Sequence, residues 1–291
     1  MNLFSIAKRI NRPLILDGAM GSMLQQINLK AKGTLWMSYA NIESPAKVYE
    51  IHKKYINAGA DIITTNTFRT NPAALKNFSK LRPEKFVKDS VALAIQARGN
   101  FPVLVAGSNA PAEDCYQEKR TLSKKELTYN HHKHIDLLMT AGSDFILNET
   151  QSHLDEIKII SQYCHKKNIP FIMSFFFKND LKLLSGISLF EAVKFVLNYE
   201  PLAIGFNCIM PEIFKKVLSE IDENYNWGFY LNCGGGNYTD EIIKCGIYPK
   251  EYIKYVKSTL RKKPSFIGSC CGSSPNHIKE IKRLLDGRIK S

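Results

Sequence analysis

Ala141-Gly142-Ser143-Asp144-Phe145-Ile146-Leu147-Asn148-Glu149-Thr150 reads as a helix end, a turn, a strand and a polar strand end in immediate succession. Gly142 stops the helix-period stretch 122–141, because glycine takes the left-handed cap conformation without strain. The run 144–147 is too short for a typical helix and too apolar for a strand with one wet face, so it reads as a strand buried on both sides. The same phrase opens at Ala58-Gly59-Ala60-Asp61, runs through Ile62-Ile63-Thr64-Thr65 and ends in Asn66-Thr67-Phe68. A β/α unit is therefore used more than once.

Working outward, short apolar runs recur at 14–16, 61–65, 103–106, 144–147, 171–175, 202–206, 228–231 and 265–268. Helix-period stretches lie between them. Residues 45–58 follow Ser44, a good N-cap, and precede Gly59. Residues 122–141 carry Ser123 and Glu126 in capping-box spacing. Stretches 154–167 and 249–260 behave likewise, and 275–285 starts with Pro275 at a first-turn position. Eight strands alternating with helices predict an α/β fold with a parallel sheet closed into a (β/α)8 TIM barrel, forming one domain over 1–291.

The chain has 291 residues, 44% of them hydrophobic, and a formal charge of +13. Its basic residues are spread over many sites (Arg9 and Arg12, 119–125, 166–167, 261–263, 279–290) and form no dense block with interleaved aromatics, so a solvated surface is expected rather than a nucleic-acid partner. No apolar run approaches the ~20 residues that span a bilayer. Met1 to Arg9 lack the apolar stretch and cleavage site of a signal peptide, so the expectation is a cytoplasmic protein without a membrane partner. Seven cysteines without an export signal argue against a disulfide framework.

In a barrel of this kind chemistry sits at the C-terminal ends of the strands. Those ends carry Asp17-Gly18-Ala19-Met20-Gly21, Asn66-Thr67-Phe68, Asn148-Glu149-Thr150, Asn207-Cys208, Asn232-Cys233 and Cys270-Cys271. Two carboxylates and several thiols are thus expected on one rim. Three thiolates from two strand ends suit a zinc ion with one open position. An open zinc with sulfur ligands points to chemistry on another sulfur. Buried structural thiols or a vicinal disulfide are the alternatives for Cys270 and Cys271, and their glycine-flanked strand end favours ligation.

Taken in order, Asp17-Gly18-Ala19-Met20-Gly21, Asn66-Thr67-Phe68, Glu149-Thr150, Gly205-Phe206-Asn207-Cys208 and Gly268-Ser269-Cys270-Cys271-Gly272-Ser273-Ser274-Pro275-Asn276-His277-Ile278 resemble the zinc-dependent homocysteine S-methyltransferase family over roughly residues 12–286. The resemblance implies methyl transfer to the sulfur of homocysteine, giving methionine. It implies Zn2+ on Cys208, Cys270 and Cys271, and a substrate ammonium gripped by Asp17 and Glu149. Backbone N–H groups around Ala19, Met20 and Gly21 would receive the substrate carboxylate if a helix begins there. Asn232 would be a weak oxygen near the vacant metal position. Where the family has Tyr-Pro-Asn, this chain has Tyr230-Leu231-Asn232 followed by Cys233, and the loop from Gly107 to Asp114 is unusually polar.

Folate, corrinoid and reactivation modules, and the C-terminal extension of betaine enzymes, are not expected beside this barrel. A small cationic methyl donor is therefore expected, most readily a sulfonium such as S-methylmethionine. Trp36, Phe68, Tyr116 and Phe175 to Phe177 are candidates to face its charge, with barrel core the alternative for the Phe run. Competing functions are a methyltransferase acting on another thiol or served by a separate corrinoid protein, a zinc hydrolase, and a non-catalytic zinc and homocysteine binder. Cys115, Cys164 and Cys245 read as bland thiols and Cys233 as a small core residue. His131, His132 and His134 read as the solvated face of an outer helix, and His153 and Glu156, in the helix after Glu149, as helix-face residues.

Overall fold

Short β-branched and aromatic runs buried on both faces pair in parallel here, and amphipathic helices cover them. The computed structural model describes residues 10–222, 224–236 and 240–287; the reading of Met1 to Arg9 and the last basic residues fall outside these. Strands β1 (Leu14–Ile15), β2 (Ile62–Thr64), β3 (Leu104–Asn109), β4 (Phe145–Gln151), β5 (Phe171–Phe175), β6 (Ala203–Asn207) and β7 (Trp227–Leu231) are followed by a small antiparallel pair, β8 (Gly234–Gly235) and β9 (Lys244–Cys245), and then by β10 (Phe266–Ser269). The parallel sheet runs β1-β10-β7-β6-β5-β4-β3-β2, and a parallel bridge between Leu16 and Ile62 brings its two ends together. This is the expected eight-stranded TIM barrel.

Side chains alternate across each strand. One face, with Leu14, Leu16, Ile62, Ala106, Phe145, Leu147, Ile172, Ala203, Tyr230 and Phe266, fills the barrel interior. The other, with Ile15, Ile63, Val105, Ile146, Met173, Ile204, Phe229 and Ile267, packs against the helices. Phe175, Phe176 and Phe177 are buried in this outer core, as is Cys233.

The repeated Ala-Gly-x-Asp phrase has one mechanical use. Gly59 (φ 104°) and Gly142 (φ 103°) both turn the chain in the left-handed region. The aspartate that follows then accepts from the preceding strand and from an arginine. Asp61 takes the Ile15 N–H at 2.8 Å and Arg12, and Asp144 takes the Val105 N–H at 2.7 Å and Arg98.

Several boundaries differ from expectation. β3 and β4 run on into polar residues because these find partners: the Asn109 amide donates to Asn148 at 2.8 Å, and Gln151 donates to the Asn109 carbonyl. The Ser123–Glu126 capping box forms, over helix Lys124–Thr140, whereas Ser44 makes no side-chain cap bond to helix Pro45–Ala58.

The reading of His131 and His134 as a solvated helix face is wrong: both are fully buried, as is Glu156, expected only as a helix-face residue. That helix turns these histidines toward the sheet, where polar strand residues receive them. His134 pairs with Thr70 and Asn109, each at 2.9 Å, and His131 meets Glu156 at 3.0 Å. His153 is also buried, 3.1 Å from the Glu118 carbonyl, while His132 stacks on Tyr163. No helix among the described residues is long and apolar enough to cross a membrane.

Candidate metal and substrate site

Cys208 follows β6, and Cys270 and Cys271 follow β10; β7 lies between these strands in the sheet. Backbone bonds lock the ends in place: the Cys208 N–H donates to the Tyr230 carbonyl, Cys270 to Leu231, and Cys233 to the Cys271 carbonyl. Cys208 holds φ at 58°, a left-handed value that costs a non-glycine residue energy and redirects its side chain. Gly272 (φ 79°) completes the turn after Cys271, its N–H donating to Ser22.

These turns bring three sulfurs together. Cys208 and Cys271 are 3.5 Å apart, Cys270 and Cys271 3.9 Å, and all three sulfurs lie within 4.8 Å of one another. Metal–sulfur bonds of ~2.3 Å in a tetrahedral thiolate centre separate the sulfurs by about 3.8 Å. The cluster therefore fits a metal ion with no rearrangement of the chain. Hydrogen bonds from Cys208 and Cys270 hold Cys271 well below the ordinary thiol range, while those same contacts and burial push Cys270 up.

Two carboxyl groups face the same end of the barrel. Asp17 accepts the Thr64 N–H at 2.9 Å and its hydroxyl at 3.0 Å. Glu149 accepts from the Ser108 hydroxyl. Burial pushes Asp17 well up, against its Thr64 bonds, and the charge of Glu149 adds to the rise. Burial likewise pushes Glu149 up to about 7 against the Ser108 bond, with Cys208 contributing. Neither carboxyl has an ion-pair partner among the described residues. Buried acids without a cation are costly, and a cationic ligand would relieve both.

Ala19 precedes helix Met20–Gln26, whose first turn carries no side-chain cap. The Ala19 N–H donates to Ser273 at 3.1 Å, and Ala19 offers no side-chain cap to the N–H groups of Met20 and Gly21 that follow it. The Trp36 ring lies so close over Gly21 that a β-carbon there would sit 2.2 Å from it. Trp36 contacts Phe68 edge-on, and Tyr116 contacts Phe176 edge-on. Asn232 lines a small pocket with Tyr116, Gly234, Gly235, Gly236, Ile243 and Cys271, its own Oδ1 accepting the Gly234 N–H at 2.7 Å.

Two features escaped the sequence. The Tyr116 hydroxyl lies 3.0 Å from the Cys208 sulfur, a contact across 92 residues that no local pattern signals. The second is the hold of Ser108 and Thr64 on the two carboxyls, for which the available signal was polarity near the C-terminal ends of apolar strands.

A parallel barrel with a three-thiolate centre and two unpaired acids at one rim defines a metal-binding enzyme of the TIM-barrel class. The homocysteine S-methyltransferase family profile matches residues 14–285. The chain is 25% identical to homocysteine S-methyltransferase 2 of Arabidopsis thaliana, over 94% of this chain and 93% of that one. It is 24% identical to the selenocysteine Se-methyltransferase of Brassica oleracea var. italica, covering 94% and 89%. The metallated crystal structure of the homocysteine methyltransferase MmuM from Escherichia coli superposes with a TM-score of 0.82 at 22% identity, covering 97% of this chain and all of that one. The chain belongs to the homocysteine S-methyltransferase family and is a methyltransferase.

Proposed function

We propose that this chain transfers a methyl group from a small sulfonium donor, S-methylmethionine, to the thiolate of homocysteine, with Zn2+ held by Cys208, Cys270 and Cys271. The observation that carries the reading is the three-sulfur cluster, spaced for a tetrahedral ion, beside two buried acids with no cation of their own. A bound zinc ion would supply the positive charge that keeps a coordinated thiol deprotonated at neutral pH.

The chain does the rest by placement. Glu149 and Asp17 receive the substrate ammonium, and the uncapped N–H groups of Met20 and Gly21 receive its carboxylate, so the acceptor sulfur is aimed at the cluster. Asn232 stands beside that position. The acceptor sulfur attacks the donor methyl, a new C–S bond forms as the old one breaks, and the electron pair leaves on a neutral sulfide. No general acid is needed, because the leaving sulfur begins positively charged. Trp36, Phe68 and Tyr116 offer aromatic faces of the kind that attract such a cation.

Zinc analysis of Cys208→Ala, Cys270→Ala and Cys271→Ala, alongside methionine formation by zinc-loaded protein with S-methylmethionine, S-adenosylmethionine, betaine and a methylated corrinoid protein, tests the reading. Each variant should lose zinc and turnover, and S-methylmethionine should be the productive donor. Full zinc occupancy in a Cys208→Ala/Cys271→Ala protein refutes the site. Turnover with methylated corrinoid alone refutes the donor.

A further inference from the structure

The Tyr116 hydroxyl, 3.0 Å from the Cys208 sulfur, sits at the middle of a loop whose two shoulders are tied to one buried carboxylate. Glu156 is fully buried; it accepts the Ala112 N–H at 2.8 Å and faces the Arg120 guanidinium at 2.9 Å. Tyr116 lies midway between those anchors. Glu113 tightens the far shoulder by accepting the N–H groups of Thr121 and Leu122, and Arg69 donates to the Glu113 carbonyl. The ring of Tyr116 rests edge-on against Phe176 with centroids 5.1 Å apart, so its tip is fixed from the side as well.

We propose that Tyr116 is a positioning residue of the thiol centre, donating its hydroxyl hydrogen to the Cys208 sulfur. The inference rests on the metal reading above. A metal-bound Cys208 is a thiolate and can only accept, so the hydroxyl is the donor of this pair. Two effects follow. The bond helps to fix the rotamer of a cysteine whose backbone is held at φ 58°. It also draws charge off one sulfur, which leaves the metal more electrophilic toward the incoming thiol. Groups hydrogen-bonded to metal ligands tune the ion in this way.

Cobalt-substituted protein tests the assignment through the sulfur-to-cobalt charge-transfer bands, which report sulfur charge independently of turnover. Tyr116→Phe keeps the ring against Phe176 and removes only the donor. Its bands should move to longer wavelength than those of the unaltered protein, and it should release zinc to a chelator about tenfold or more faster. Bands that superimpose on those of the unaltered protein overturn the assignment, even if zinc release changes, because loop packing alone would then account for the loss. If the unaltered protein gives no thiolate bands with cobalt, the metal reading fails and this inference with it.

Discussion

Asp17 and Thr64 bind each other across the seam where the barrel closes. The carboxylate accepts both the N–H and the hydroxyl of Thr64, between two strands otherwise linked by a single bridge and a few bonds from Asp61. Asp17 thus serves the fold as well as the proposed ammonium site. Asp17→Ala leaves the buried Thr64 N–H without its acceptor and should cost about 1–3 kcal/mol in urea unfolding. Asp17→Asn keeps an acceptor oxygen and removes a buried acid that burial pushes well up, so it should unfold at or above the midpoint of the unaltered protein. Equal loss in both variants would show that charge, not the seam bond, is what the fold uses.

Glu149 carries the opposite balance. Its carboxyl is raised from 4.5 to about 7 by burial, so its favourable protonated form is fully present below pH 4.5 and lost as pH rises through 7. In metal-free protein, replacing it by Gln should therefore be stabilising at pH 8, by about 3 kcal/mol, with the advantage fading by pH 5. The same variant should keep its zinc and bind homocysteine about 1.5–3 kcal/mol more weakly. A stability difference that does not change with pH would refute the burial of this charge.

Glu156 behaves as a paired acid. Burial raises it, but the hydrogen bond and charge of His131, with Arg120, draw it down to about 2. The stability it contributes is present above pH 4.5 and lost as pH falls toward 2. Glu156→Gln should be less stable than the unaltered protein at pH 6 by about 3 kcal/mol, and the gap should narrow between pH 5 and pH 3. A gap that is constant over that range would assign the loss to shape rather than charge.

The barrel was legible because each strand is a short apolar run bracketed by turn residues, and a run apolar on both faces needs no partner to be recognised. The rim residues were legible for the same reason: Asp17, Glu149, Cys208 and Cys270 follow runs whose direction is already known. His131 and His134 were misread because their helix is polar on more than one face, and the partners that make burial tolerable, Asn109, Thr70 and Glu156, come from other elements. Tyr116 could be placed at the rim but not on Cys208, since that contact depends on where Glu156 ties the loop.

Gly272 decides whether the cluster can form. Its φ of +79° disfavours any side chain, and a β-carbon there would lie 2.6 Å from the backbone of Gly234, which cannot rotate away. Gly186 offers a matched comparison, with φ at +82° and open space around it. Gly186→Ala should cost about 1 kcal/mol of stability from backbone strain alone and retain full zinc. Gly272→Ala adds an overpacking cost of about 1–3 kcal/mol, and the chain can relieve it only by shifting the turn that carries Cys270 and Cys271. Zinc content after dialysis should then fall well below that of Gly186→Ala, although the barrel still gives its far-ultraviolet dichroism. Equal zinc in the two variants would mean that the turn tolerates the displacement and that the three sulfurs do not depend on the Gly272–Gly234 contact.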